Sequence, residues 1–162
     1  MKKISIYQAD AFTDQLFGGN PAAICPLEEW LPDETMQQIA LENNLAETAF
    51  FVKDGDSFML RWFTPELEID LCGHATLASA HILFTELGFA GEEIQFKTKV
   101  AGTLTVSKKD GLYTLDFPSR PPQPCETPDI LLEALGGVAP ISIQKSRDYF
   151  VIYEKEEDII NL

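Results

Sequence analysis

Apolar and polar residues along this chain switch between a two-residue and a three-to-four-residue period, and the switches outline the fold. Residues 3–11 read as an opening strand. The turn signal Gly18-Gly19-Asn20-Pro21 follows, and residues 22–25 return as a second strand. Pro32 suits the first turn of a helix whose Met36, Ile39, Ala40 and Asn43 share one face. Residues 48–52 read as a strand. Beyond the turn Asp54-Gly55-Asp56, Phe58, Leu60 and Trp62 alternate with Met59, Arg61 and Phe63 in the next one, which Thr64-Pro65-Glu66 interrupts. A second helix is predicted from Ala75, with Leu77, Ala80, Phe84 and Leu87 turned toward a sheet and Gly88 as its stop. Residues 94–117 then give three strands joined by turns at Ala101-Gly102 and Asp110-Gly111.

This order predicts an α+β fold, a curved and mostly antiparallel sheet against a hydrophobic helix, rather than alternating βαβ units. At Pro118-Ser119-Arg120-Pro121-Pro122-Gln123-Pro124 the pattern breaks, because four prolines in seven residues oppose any regular element. The expected organisation is a first domain over residues 1–118, a crossing over 119–128, and the opening of a second domain over 129–162. In that last stretch residues 130–135 and 154–160 read as short helices and 149–153 as a strand, too few elements for an independent core.

Composition narrows the function classes. The 45% hydrophobic content, with 11 Phe, suffices for a packed core. The formal charge of −14 offers no basic stripe and argues against nucleic acid as a partner. Three scattered cysteines, Cys25, Cys72 and Cys125, make neither a disulfide framework nor a thiolate metal cluster. No apolar run approaches the roughly 20 residues that span a bilayer, so no membrane partner is expected and a cytoplasmic location is.

Two segments concentrate candidate chemistry. Asp70-Leu71-Cys72-Gly73-His74-Ala75-Thr76 places a thiol, a glycine and an imidazole where strand gives way to helix. The free amides of a helix N-terminus can hold a carboxylate there. His74 reads either as a neutral hydrogen-bonding group or as a structural cap, and Cys72 either as an acid/base thiol or as a small buried side chain. Gly73 serves close substrate approach or merely the turn. The second segment, residues 44–51, sets Glu47 between a helical pattern and an apolar strand, where apolar neighbours would favour its protonated form. A surface glutamate is the plain alternative, and its functional reading requires Glu47 to lie near the Cys72-Gly73-His74 turn. His81 shares a helix face with His74, but a third convincing ligand for zinc is lacking and no metal is expected. Arg61 and Arg120 are candidates for an anion or for a solvated surface. Gly18-Gly19 lacks the spacing of a nucleotide-binding loop.

The sequence resembles the PhzF-like phenazine-biosynthesis family, related in fold to diaminopimelate epimerase. The resemblance runs through Asp10-Ala11-Phe12-Thr13, Phe17-Gly18-Gly19-Asn20-Pro21-Ala22-Ala23, Leu45-Ala46-Glu47-Thr48-Ala49-Phe50, Arg61-Trp62-Phe63-Thr64-Pro65-Glu66 and residues 70–78, and continues in Arg147-Asp148-Tyr149-Phe150-Val151-Ile152. It implies two similar domains, each a mixed, mostly antiparallel sheet wrapped around a central helix, with the site between them. It also implies a cofactor-independent isomerase or epimerase, often a homodimer, that moves a proton on a small carboxylated metabolite. By the resemblance Glu47 is the principal acid/base residue, Gly73 and His74 hold the substrate carboxylate, and Asn20 lines the cleft. Cys72 matches one thiol of diaminopimelate epimerase and is an auxiliary candidate. Family members are longer, so the resemblance implies that residues 1–162 are a fragment, inactive or poorly folded alone. The competing expectation is a small-carboxylate binding or regulatory module without catalysis.

Overall fold

The computed structural model describes residues 3–15, 17–136 and 138–162. They fall into two compact units, Met1–Pro118 and Ser119–Leu162. In the first unit, β1 (Tyr7–Ala11), β2 (Asn20–Leu27), β3 (Glu47–Asp54), β4 (Ser57–Phe63), β5 (Glu68–Ile69), β6 (Glu93–Lys97), β7 (Thr103–Lys109) and β8 (Leu112–Asp116) form one sheet. Its order is β1-β2-β3-β4-β6-β7-β8, with β5 beside β4. The β2–β3 and β4–β6 pairs are parallel and the other neighbours antiparallel, so the sheet is mixed.

The two helices of this unit cover opposite faces, and the two-residue strand period decides which side chains meet each one. Ala22, Ile24, Ala49, Phe51, Phe58, Leu60 and Trp62 turn toward α2 (Gly73–Thr85) and make the main core with Ile94, Phe96, Leu104 and Val106. Cys25, Phe50 and Phe63 turn the other way, onto Met36 and Ala40 of α1 (Asp33–Asn43). Phe50 meets Phe63 edge-on at 5.5 Å, and Phe51 meets Phe58 in the same way.

α2 departs from its predicted amphipathic face. His74, Ala75, Thr76, Ala78, Ser79, Ala80, Ile82 and Leu83 are all buried, whereas Leu77 and Phe84 are only partly so and Leu87 lies exposed beyond the helix end. The sheet curls round the helix and covers most of its circumference, so small residues, not one apolar stripe, mark its core contacts. Thr76 and Ser79 satisfy their buried hydroxyls within the helix, donating to the carbonyls of Cys72 and Ala75 at 2.6 and 2.7 Å.

The second unit holds β9 (Gln123–Pro124), α3 (Asp129–Ala134), β10 (Ser142–Lys145), β11 (Tyr149–Ile152) and α4 (Glu156–Ile160). Its three strands run in the order β11-β10-β9, all pairs antiparallel. β9 corrects the expectation that the proline-rich stretch bars regular structure. Pro124 pairs there on an edge strand, where a missing N–H leaves no ladder bond unmade. Neither helix of this unit buries a residue.

Candidate active site at the N-terminus of α2

Strand register brings the two chemical segments together. Glu47 opens β3 and shares the face of Ala49 and Phe51, the face that meets α2. In the parallel β2–β3 pair its partner is Ala22, and Asn20 lies two residues before Ala22 on that same face of β2, partly buried. Cys72 is extended (φ −141°, ψ 122°) and precedes the first helical residue, Gly73. No acidic residue stands in the first turn of α2, and Cys72 makes no capping hydrogen bond, so the first amides of the helix have no carboxylate from their own segment.

Glu47 is the carboxylate that does approach. Its Oε2 lies 3.1 Å from Nε2 of His74, with the two side chains 17% and 9% exposed. Both atoms are shut off from solvent, and neither makes a hydrogen bond of good geometry. On the other edge of the ring, Nδ1 lies 3.4 Å from the Cys72 sulfur. Burial pushes the Cys72 thiol up to about 12, helped by the neighbouring Glu47 charge and opposed by the backbone N–H groups of Ala75 and His74. At neutral pH Cys72 is therefore a thiol and not a nucleophile.

Glu47, Cys72 and His74 are all of metal-ligand type, and their donor atoms lie within 4.8 Å of one another. Cys72 lies against Nδ1 and Glu47 against Nε2 of one imidazole, and the three side chains form a compact triangle of an acid, a thiol and a base.

Gly73 sits beside this group without strain. A Cβ added there would meet only the Phe117 ring, at an ordinary 3.6 Å. Gly19 is different: φ is +66°, and a Cβ would collide with the Ala11 carbonyl oxygen, so the turn before Asn20 requires glycine for backbone reasons alone.

The remaining sequence candidates go elsewhere. Arg61 is a structural ion, since it turns toward α1 and away from α2. Its Nε and Nη2 donate to the two oxygens of Glu68 at 2.6 and 2.7 Å, and Nη1 donates to Asp33 at 2.8 Å. The guanidinium also lies 5.3 Å from the Trp30 ring centre and 5.1 Å from that of Phe63. The signal for this role was the alternation of β4, which places Arg61 with Phe63 on the α1 face. His81 is exposed on the outer side of α2, its Nδ1 3.1 Å from the Tyr113 hydroxyl. It lines a cavity of about 530 Å³ with Asp10, Leu77, Ile82 and Tyr113, a wall that includes none of Glu47, Cys72 and His74. Among the described residues no helix is long and apolar enough to cross a membrane.

Known proteins are similar to this chain in sequence and in fold. An uncharacterized isomerase of Pseudomonas aeruginosa is 51% identical over 99% of this chain and 61% of its own length. One of Halalkalibacterium halodurans is 46% identical over 100% and 62%. The crystal structure of a phenazine biosynthesis protein of the PhzF family from Enterococcus faecalis superposes with a TM-score of 0.86 at 47% identity, covering 96% of this chain and 59% of that one. The chain thus spans between 59% and 62% of the length of these relatives. A predicted epimerase of Pseudomonas aeruginosa, at 22% identity and a TM-score of 0.68, shares the fold. Together with the curled mixed sheet around α2, these neighbours define the diaminopimelate epimerase-like fold. The family model for phenazine biosynthesis-like proteins matches residues 9–145, from β1 in the first unit to the end of β10 in the second, and the chain belongs to that family, PhzC-PhzF.

Proposed function

We propose that this chain carries the acid/base side of a cofactor-independent isomerase acting on a small carboxylated metabolite. The carrying observation is the buried approach of Glu47 to His74, 3.1 Å apart at the uncapped start of α2 with neither atom satisfied. Buried polar atoms are rarely left without partners, and among the described residues only Trp62 Nε1 and the Tyr153 hydroxyl share that state, so an unsatisfied acid beside an unsatisfied imidazole fits a place reserved for substrate. The relatives named isomerases agree with this reading.

In the proposed reaction, the amides of Gly73 and His74 receive the substrate carboxylate at the positive end of the helix. Glu47 as carboxylate removes a proton from a carbon activated by that carboxylate. The electron pair left behind is stabilised by the same amide donors, and Glu47 returns the proton to another carbon or to the opposite face. Nothing is oxidised or reduced, so the product is an isomer. Asn20, on the same face as Glu47, lines the approach.

The test is deuterium incorporation from D2O into small carboxylates by the full-length enzyme, read by mass spectrometry. Glu47→Gln keeps the shape and removes the base, and the exchange rate is expected to fall by at least about 100-fold. Ligand binding without any incorporation in the unaltered enzyme would instead establish a binding module.

A further inference from the structure

We propose that Cys72 is a positioning residue for His74: its thiol pairs with Nδ1 and thereby keeps the ring proton on Nε2, beside Glu47. The inference deepens the reading of Glu47 as the acid/base group and rests on it for its functional meaning, though not for its test.

A neutral imidazole carries one proton, and the partner of one nitrogen fixes the role of the other. Here Cys72 Sγ lies 3.4 Å from Nδ1 and Glu47 Oε2 lies 3.1 Å from Nε2. With the proton on Nδ1, a bare Nε2 would sit 3.1 Å from a carboxylate oxygen, two buried atoms of negative partial charge with no proton between them. With the proton on Nε2, the ring presents a donor beside Glu47, and Nδ1 needs a donor of its own. Cys72 is built to be that donor. Its thiol is held protonated chiefly by burial, with the backbone N–H groups of Ala75 and His74 opposing, and its sulfur lies 3.4 Å from Nδ1. Glu47 also lies near the sulfur and is the competing acceptor for that proton.

The experiment is 15N NMR of the full-length protein labelled at histidine, with the ring signals of His74 assigned by their loss in His74→Gln. The unaltered protein is expected to show the proton of His74 on Nε2. Cys72→Ala is expected to raise the fraction carrying it on Nδ1 by about three- to tenfold, the effect of one net hydrogen bond, and Cys72→Ser to restore the original ratio. A proton on Nδ1 in the unaltered resting protein overturns the proposal, and so does a ratio that Cys72→Ala leaves unchanged. The first measurement needs no variant, so a Cys72→Ala protein that fails to fold does not leave the question open. If Glu47→Gln retains deuterium exchange while His74 still follows Cys72, the isomerase reading fails and the positioning role stands.

Discussion

The sheet carries two polar clusters on opposite faces of the same pair of strands, and they differ in how completely they are satisfied. On the α1 side Arg61 is 8% exposed and fully engaged: two bonds to Glu68, one to Asp33, two aromatic rings beside it, and Lys99 2.9 Å from the second Glu68 oxygen. On the α2 side Glu47 and His74 stand 3.1 Å apart with their facing atoms unsatisfied. Both clusters contain an acid and a nitrogen base at contact distance. Geometry separates them. A satisfied network fixes structure, whereas buried polar atoms without partners call for a role of another kind.

Arg61→Ala puts the contrast to its strongest test. Removing the cation leaves Glu68 and Asp33 facing each other across an emptied slot between Trp30 and Phe63. The expected loss is about 3 kcal/mol, read from the denaturation midpoint at unchanged slope. A loss below about 1 kcal/mol would place Arg61 among ordinary surface ions.

The matching change at the open cluster has the opposite sign. Gly73→Ala adds a Cβ in ordinary contact with Phe117 at a helical position, so stability is expected to rise by about 0.5 kcal/mol. Affinity for a small carboxylate is expected to fall, because the methyl group stands before the amides. A marked loss of stability would show that Gly73 is kept for folding.

Acid separates the clusters more gently. The Arg61 guanidinium beside Glu68 holds its carboxyl below the ordinary 4.5, with burial opposing and Lys99 assisting. Asp33 is lowered from 3.8 by the same arginine. For such groups the unfolded chain binds more protons than the folded one between the two pKa values. Their stabilisation is complete above about pH 5 and fades as pH falls through the lowered folded values. Glu68→Gln is expected to flatten that acid limb in a series of denaturation curves. An acid limb unchanged by Glu68→Gln would break the assignment.

The smallest effect is chemical. Cys25 and Cys72 are buried, each pushed up to about 12 by burial, while Cys125 in the second unit is partly exposed. Of these three cysteines, brief alkylation at neutral pH is expected to label Cys125 and spare the other two, by peptide mapping. Early labelling of Cys72 would contradict a closed, protonated thiol.

Much of this was legible before any coordinates. The turn Asp110-Gly111, the alternation of β4 and the helix after Pro32 all express local rules, and β3, β4, β7 and β8 form where those rules place them. α2 forms where it is predicted and Ala80 and Phe84 do meet the core, but Leu77 is only half-buried and Leu87 exposed, because the sheet also wraps sides of the helix that carry small residues. β9 was missed since Pro124 forbids it by propensity, and only an edge position beside β10 permits it.

The sequence by itself determined the α+β class, the strand and helix order, and which residue types could carry chemistry at residues 47 and 72–74. Period and turn residues act over a few positions, so they can be read locally. Only tertiary structure decided that Glu47 meets Nε2 of His74 while Cys72 meets Nδ1, and that Arg61 turns away from both. Those outcomes depend on the β2–β3 register and on the curl of the sheet round α2. One residue of slip would send Glu47 to the α1 face, and no local signal in the chain records that choice.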